Sequence, residues 1–451
     1  MPKHALEDFD LNPLQDRAGA LVEAAMNAGA DSADTVVAAS RSTGVEVREG
    51  KIEETESAEN NAFSLRVFIG NRAASVSANL MGDPFELAER AVAMAKVAPQ
   101  DPNAGLANKE DLAQNFPELD LFDHTAPSFE NMLDLAKTCE EASLEISGVT
   151  KSGGASFSRG LGGTVLATSN GFLGSYRASR FSLSVSAVAG EGETMQRDYD
   201  YDSMRYLSDL RTAQDIGKEA GERAIKRLNP RQVKTQTTTV IFDPRVARGL
   251  VGHLSGAING ASIARKTSFL QEDLGKQIFS AKVTIVDEPH VLRGASSRPF
   301  DAEGVACNSL QLVDKGILNT WLLDTGTAKE LGLTTNGRAN RAGSGTSPGS
   351  TNLTMLAGKR SPGEMIADLP NGFYVTELIG HGVNLLTGDY SRGASGFWIE
   401  NGVLTYSVSE VTIAGKLRDM FERLEPANDL ERRFGTNAPT IAIEGMTIAG
   451  K

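Results

Sequence analysis

The clearest pattern along the chain is an alternation of apolar residues with serines that runs up to Val188. Period two is typical of a β-strand with one packed and one solvated face. The dipeptide Asn170-Gly171 precedes this strand and follows the β-like residues 164–168, so we predict a hairpin with a tight turn. The alternating apolar residues are Phe181, Leu183, Val185 and Ala187.

Helical spacing of apolar residues appears in four segments of the first half. Cys139 belongs to the third stripe, which favours a small core residue over a nucleophile. Two glycines of the fourth stripe, Gly217 and Gly221, would let a neighbouring element approach closely. The first predicted helix ends at Gly29, the second begins at Asp83, the third begins at Ser128 and the fourth ends at Leu228.

Short β-like segments separated by glycines dominate the chain beyond about Gln232. One helix interrupts them, directly after Asp243-Pro244. We therefore predict an α+β protein with an N-terminal mixed α/β lobe that contains hairpins and a C-terminal β-rich domain with few helices. The expected domains are residues 1–125, 126–232 and 233–451, with a connector near 99–127 and β segments that include 35–39, 44–47, 64–69, 281–286, 316–324, 372–378 and 396–399.

The composition limits the classes of function. The chain has 451 residues with 45 Lys and Arg against 58 Asp and Glu, a formal net charge of −13. This balance disfavours nucleic acids and anionic membranes as partners, because both need a cationic surface. Residues 1–8 lack the apolar region of a secretory signal, and no apolar run reaches the ~20 residues that cross a bilayer. We expect a cytoplasmic protein with reduced thiols.

Three local motifs imitate known sites but differ in spacing or context. Glycines 160–163 lack the strand and helix of a dinucleotide loop, so we interpret them as turn glycines. Asp198, Asp200 and Asp202 imitate a calcium loop without its turn glycine and terminal Glu, which favours a strand with solvated carboxylates on one face. The hydroxyl-rich residues 343–351 form either a loop that closes over a bound chain or a mobile surface loop.

No reaction centre follows from the residues alone. His253 lies at the edge of the buried stripe of the helix after Asp243, where a packing role is favoured. His290 and His381 have no ligand at a recognised spacing, and a catalytic zinc needs three protein ligands and an open position. No Gly-x-Ser-x-Gly elbow occurs in a strand-turn-helix context, and Cys307 has no flanking signature.

Four C-terminal segments, at residues 378–384, 387–402, 411–415 and 445–450, carry a family resemblance. They resemble the TldD/PmbA family, specifically its PmbA (TldE) branch, and the similarity covers nearly the whole chain. The resemblance implies a heterodimer of two similar subunits that acts as a zinc metallopeptidase on unfolded polypeptides. It also implies that the metal-binding TldD branch carries His-Glu-x-x-x-His on the helix and a further cysteine ligand near the C-terminus.

The matching helix departs from that metal motif. Only His253 survives, because Leu254 stands in place of the Glu and Ile258 in place of the second His. No cysteine follows Cys307. The resemblance therefore implies no catalytic residue, no metal ligand and no cofactor in this chain, with zinc expected in a TldD-like partner.

We expect a partner subunit that completes a substrate cavity and holds an extended, unfolded peptide by strand addition. Residues 347–353 and 380–384 are its candidate walls. Two alternatives stay open: an autonomous metallopeptidase with other ligands, such as His253, His290 and His381, or a peptide-binding, chaperone-like homodimer. A homodimer of the isolated chain fits either scheme, because similar subunits share interface surfaces. The candidate peptide-binding residues are Ser347, Thr351, Asn352, His381 and Asn384.

Overall fold

The structure, a computed structural model, describes residues 9–79, 82–342 and 345–451. Residues 1–8, and Gly343 and Ser344 of the hydroxyl-rich run, lie outside the described residues. The elements of the first half are α1 (Asn12–Asn27), β1 (Ser32–Arg48), β2 (Lys51–Ile69), β3 (Arg72–Asn79), α2 (Pro84–Val97), α3 (Phe129–Leu144), β4 (Val149–Thr168), β5 (Leu173–Ala189), β6 (Gln196–Met204) and α4 (Ala213–Lys226).

One antiparallel sheet organises this half, with the strand order β3-β2-β1-β4-β5-β6. The four helices α1–α4 lie on one face of this sheet. Odd-numbered residues of β1 point to that face, since they belong to both of the hydrophobic clusters that the helices cover. Ala33 and Val37 cluster with residues of α1 and α2, whereas Val45 and Val47 cluster with residues of α3 and α4. We call the opposite face, which these helices leave uncovered, the inner face.

The predicted hairpin is confirmed. β4 and β5 pair along their length, and Gly171 at the turn has a φ of +100°. The close approach predicted for α4 is also confirmed, since a Cβ on Gly217 would lie 2.3 Å from the carbonyl oxygen of Cys139 in α3. Cys139 is fully buried, as expected for a core residue.

Two interpretations of this half are wrong. Residues 160–163 lie in the middle of β4 and form no turn. The missing Cβ of Gly163 makes room for Phe9 and Leu11, whose side-chain carbons lie 2.5–2.9 Å from the place that a Cβ would occupy. β1 runs unbroken through Gly44, where the sequence suggested two short segments.

The C-terminal half contains short helices and many strands. None of the described helices is long and apolar enough to cross a bilayer. Its elements are β7 (Gln236–Phe242), α5 (Pro244–Ala257), α6 (Gly260–Ala264), β8 (Ile285–Glu288), β9 (Leu310–Asp314), β10 (Ile317–Leu318), α7 (Thr325–Glu330), β11 (Ala339–Ala342), β12 (Gly345–Pro348), β13 (Asn352–Met355), α8 (Pro362–Ala367), β14 (Asn371–Ile379), β15 (Val383–Asn384), β16 (Asp389–Glu400), β17 (Val403–Lys416), α9 (Leu417–Glu422), β18 (Leu424–Pro426), β19 (Thr436–Asn437) and β20 (Ile441–Ala449).

The main sheet of this half closes on itself. Its strands follow the order β14-β7-β20-β17-β16, and β16 pairs back onto β14. Closure removes free strand edges and encloses a core that includes Val240, Phe373 and Ile443. A second sheet has the order β10-β9-β8-β13-β19, so only residues 317–318 of the β segment expected at 316–324 form a strand. The predicted α+β class is confirmed.

Aromatic rings connect the inner face to the C-terminal half. The ring of Phe300 lies 5.1 Å from that of Phe172 and 5.7 Å from that of Tyr176, measured between centroids. Phe116, from the segment between α2 and α3, lies 5.1 Å from the same ring. The two halves therefore share a packed apolar contact.

Candidate functional site

The helix α5 occupies the position where the family resemblance places a metal motif. Its start is fixed by Asp243, whose carboxylate accepts the Arg245 N–H at 2.9 Å, and by Pro244 in the first turn. Tyr374 of β14 donates its hydroxyl hydrogen to the same carboxylate at 3.0 Å. These contacts hold the beginning of α5 against the closed sheet.

The motif positions of α5 turn toward the core. Leu254 and Ile258 are fully buried in the main hydrophobic cluster, and hydrocarbon side chains have no lone pair for a cation. His253 is half-buried, with its ring centroid 6.0 Å from that of Tyr390. Burial, assisted by Arg392, lowers the pKa of His253, so its imidazole is neutral at neutral pH. This helix offers one nitrogen ligand where a zinc site needs three protein ligands.

The other candidate histidines do not complete a ligand set. His290 lies in a turn after β8, and His381 is exposed after β14. Across residues 9–79, 82–342 and 345–451, no three His, Cys, Asp or Glu side chains are grouped so that they could hold a metal ion. Among the described residues, none of the three candidate histidines is therefore grouped with two further donors.

One candidate wall segment contacts the C-terminal end of α5, and the other lies next to a residue that does. Ser255 of α5 donates to the hydroxyl of Ser350 at 3.4 Å, and Asn259, just after the helix, donates to the carbonyl of Pro348 at 2.6 Å. Leu385 directly follows residues 380–384, and its side chain lies 2.8 Å from the place where a Cβ on Gly256 would be. The structure thus brings residues 347–353 and the end of the loop after β14 to the same helix.

The candidate peptide-binding residues differ in accessibility. Thr351 is buried, with its N–H and hydroxyl both bound to Asp287 at 2.6 and 3.0 Å. The buried Asn352 donates to the Glu288 carbonyl and to the Ser297 hydroxyl, each at 2.7 Å, and accepts from the Ser296 N–H at 2.9 Å. Both side chains therefore make hydrogen bonds within the protein and are not available to a peptide. The remaining three candidate residues are half-buried Ser347, exposed His381 and exposed Asn384. The side-chain oxygen of Asn384 accepts a hydrogen bond from the N–H of Leu386.

The interpretation of the β6 carboxylates as solvated is wrong. Asp198, Asp200 and Asp202 are 3%, 5% and 1% exposed, because they point to the side of the sheet that α4 covers. Each carboxylate binds at least one guanidinium, and we call this set the β6 seam. Its pairs are Asp198 with Arg227 and Arg245, Asp200 with Arg211 and Arg223, and Asp202 with Arg433.

The β6 seam joins β6 to α4, to the beginning of α5 and to Arg433 near the C-terminus. Burial alone would raise the pKa of Asp198, but Arg245 and Arg227 bring it below its usual value. Beside the seam, a cleft of about 810 Å³ is bordered by β6, the start of α5 and residues 429–438. Arg248 stacks 4.4 Å above the Phe434 ring in this cleft and donates to the Tyr201 hydroxyl at 2.7 Å. An arginine and an aromatic ring thus pack together in this cleft beside α5.

A second charged cluster, here called the β1 seam, lies on the inner face. Asp34 of β1 stands directly opposite Arg66 of β2 and binds it, and Arg341 of β11 reaches the same carboxylate at 2.5 Å. Arg66 also approaches Glu303, at 3.5 Å. Burial raises the pKa of Glu303 to about 7 against the effect of Arg66, and Asp301 adds to the rise. Glu303 and Ser347 line one pocket of about 410 Å³ between the halves.

Family models match most of the chain. The PmbA/TldA metallopeptidase domain 1 matches residues 33–95, the central domain matches residues 122–228, and the C-terminal domain matches residues 235–450. The chain belongs to the PmbA/TldD family. The resemblance derived from the sequence is thereby confirmed.

Relatives within the PmbA/TldD family support the PmbA branch. The chain is 40% identical over 422 residues to the metalloprotease PmbA of Escherichia coli O157:H7, with 92% of each chain covered. A crystal structure described as a modulator of DNA gyrase from Bacteroides thetaiotaomicron has a TM-score of 0.90 and 28% identity, covering 98% of this chain and 99% of that one. TldE from Thermococcus kodakarensis shares the fold, with a TM-score of 0.84 at 21% identity and coverage of 96% and 100%.

Proposed function

We propose that this chain is the non-catalytic subunit of a two-chain metallopeptidase, in which a TldD-like partner holds the zinc. The observation that supports it most is the burial of Leu254 and Ile258 in the apolar core at the two motif positions. A catalytic zinc needs three protein ligands and a water that it activates, and α5 supplies one imidazole. The metalloprotease name of the Escherichia coli relative supports a role in peptide cleavage.

In this proposal the chain closes the cavity and aligns an unfolded polypeptide in it. The two wall segments support this role, because Ser350 and Leu385 place them beside the end of α5 and because Ser347 and His381 have solvent-accessible side chains. Backbone pairing suits unfolded substrates, since it binds an extended chain with little regard to sequence. We place the complex in the cytoplasm, with polypeptides and not nucleic acids as its partners.

Reconstitution tests the proposal directly. The purified chain is mixed with an unfolded protein, with and without a TldD-like chain that carries an intact His-Glu-x-x-x-His motif. We expect fragments only when both chains are present, complete inhibition by a chelator, and zinc only in the TldD-like chain. Chelator-sensitive cleavage by this chain alone, or stoichiometric zinc in it, would overturn the proposal.

Two histidine variants sharpen the test. His253→Ala removes the only nitrogen ligand on α5, and His124→Ala is the matched change at an exposed position outside the candidate walls. We expect His253→Ala to leave the zinc content and the cleavage by the mixture unchanged, because His253 packs against Tyr390. Loss of both would make His253 a ligand. A stable homodimer that binds unfolded protein but gives no cleavage with the partner would favour the chaperone-like alternative.

A further inference from the structure

An arginine-rich pocket of about 240 Å³ lies where β5 and β6 meet the C-terminal half. Its walls come from the middle of β5, the end of β6, residues 291–295, β13 and residues 432–437. This concentration of positive charge contrasts with the net charge of −13 of the whole chain. Among the described residues that line the pocket, five arginines face a single carboxylate, Asp209; they are Arg180, Arg205, Arg293, Arg432 and Arg433.

Three of these arginines are balanced by acids. The pairs are Arg293 with Asp120 and Asp209, Arg432 with Glu288, and Arg433 with Asp202. Arg180 and Arg205 differ, because neither forms a salt bridge with a carboxylate in the part of the chain that the structure describes. Arg180 is exposed and donates to the Ser203 hydroxyl at 3.1 Å.

Arg205 is a half-buried guanidinium that forms no salt bridge with any carboxylate of the described residues. It donates to three backbone carbonyls, those of Ser179 at 3.1 Å, Ala295 at 2.6 Å and Gly294 at 3.4 Å. Carbonyl dipoles orient the guanidinium but leave its net charge unbalanced. Burial, with a contribution from Arg180, lowers the pKa of Arg205 to about 10.

The end of β6 places the two unbalanced charges near each other. Phe181 of β5 pairs with Met204, the last residue of β6, and Arg205 follows directly beyond the strand. The positive charge of Arg180 contributes to the lowered pKa of Arg205, as expected for like charges that lie close together. An anion between the two guanidinium groups would remove this repulsion and satisfy their free donors.

We propose that this pocket binds a carboxylate of a peptide, held by Arg180 and Arg205. The inference rests on the proposed peptide handling and specifies its substrates as chains that present a carboxylate. Guanidinium groups match carboxylates in geometry and charge. The pocket is smaller than the ~300–1,000 Å³ typical of ligand pockets, so it suits one residue. Exposed Leu292 and half-buried Met204 offer apolar contact to the side chain of that residue.

The first experiment measures binding of short peptides to the isolated chain by fluorescence anisotropy. The probe is an unstructured hexapeptide, labelled at its amino end and without Asp or Glu, as a free acid and as a C-terminal amide. A third peptide has the amide and one internal Glu. We expect the free acid to bind at least about tenfold more tightly than the plain amide, as for loss of a charged hydrogen bond. Tight binding of the Glu peptide would show that a side-chain carboxylate also serves.

A charge-matched pair of variants locates the site. Arg180→Gln removes one proposed ligand contact, whereas Arg197→Gln removes an exposed arginine elsewhere on β6. We expect only Arg180→Gln to weaken binding of the free acid, by about tenfold, with an unchanged circular dichroism spectrum. Equal loss in both variants would show general electrostatic attraction and overturn the proposal.

Two further outcomes would also overturn it. Equal affinity for all three peptides would mean that no carboxylate is recognised. Displacement of the free acid by inorganic phosphate, at concentrations where acetate has no effect, would assign the pocket to phosphate. Because these measurements need no TldD-like chain and no cleavage, their failure is distinguishable from failure of the proposed heterodimer.

Discussion

Two charged seams join the N-terminal sheet to the C-terminal half, and they are built differently. In the β6 seam, each Asp binds one or two arginines whose side chains keep some contact with solvent, such as Arg245 at 17% exposed. In the β1 seam, Asp34 is fully buried between two arginines, while Glu303 lies 3.5 Å from one of them. In the β6 seam every carboxylate binds at least one arginine closely, whereas in the β1 seam the charge of Glu303 is only partly balanced by Arg66.

The difference shows in the direction of the pKa shifts. Burial acts to raise the pKa of every buried carboxyl group, so the sign of the net shift depends on the cations nearby. Arginines bring the pKa values of Asp198 and Asp34 below the usual range, whereas Glu303 rises to about 7. Asp198 of the β6 seam therefore stays charged over the whole neutral range, whereas the β1 seam contains a group, Glu303, that titrates within it.

The largest effect is expected for Asp34→Asn. This change leaves the guanidinium groups of Arg66 and Arg341 without their shared anion, and losing one partner of a buried ion pair destabilises by about 4 kcal/mol. The measurement is denaturant unfolding followed by the fluorescence of the two tryptophans, Trp321 and Trp398, and by circular dichroism. A loss no larger than that of a surface pair would show that the β1 seam does not hold the two halves together.

A smaller loss, of about 3 kcal/mol, is expected for Asp198→Asn in the β6 seam. The loss is smaller because Arg227 keeps Glu377 and Arg245 keeps Asp243 at 3.5 Å. The same unfolding measurement applies.

The surface control for both seam variants is Glu59→Gln on β2. Glu59 is 60% exposed and pairs with Arg41 at 2.7 Å, so its replacement changes stability by about 0–1 kcal/mol. If Asp198→Asn lowers the free energy of unfolding no more than this control does, the β6 seam contributes to the specificity with which the two halves dock and not to stability.

The sequence predicts strands and hairpins better than it predicts these seams. Alternation identified β5 and β6, because period two reports that neighbouring residues lie on opposite faces. It does not report which face is covered. The carboxylates of β6 look solvated until α4, which follows them in the chain, packs over their side and supplies Arg223 and Arg227.

Some features of the candidate site can likewise be predicted from the sequence, and others cannot. The lack of donors at Leu254 and Ile258 is readable from residue identity, and their burial follows from the apolar stripe of α5. The arginine-rich pocket is not readable, because Arg180 and Arg432 are far apart in sequence and meet only through the docking of the two halves. A site formed where two halves of a molecule dock can be found only from the tertiary structure, since local sequence patterns carry no information about how the halves are arranged.

The smallest of the three effects expected for the seam variants depends on pH and distinguishes the β1 seam from the β6 seam. Because the folded-state pKa of Glu303 lies above its ordinary value of 4.5, its contribution to stability is fully present below pH 4.5 and is lost as the pH rises through about 7. Glu303→Gln keeps an acceptor for the Thr325 N–H but cannot ionise, so it avoids the buried negative charge that the parent carries at pH 8. At that pH we expect this variant to be more stable than the parent by about 2 kcal/mol.

Unfolding midpoints of the parent and Glu303→Gln, compared from pH 4 to pH 8, measure this difference. Asp198→Asn provides the contrast, because the pKa of Asp198 is lowered and its deficit persists at pH 8. If the difference between the parent and Glu303→Gln is constant with pH, the pKa of Glu303 is the same in the folded and unfolded states. Arg66 would then offset the burial of Glu303 completely, and the β1 seam would contain no carboxyl group with a raised pKa of this kind.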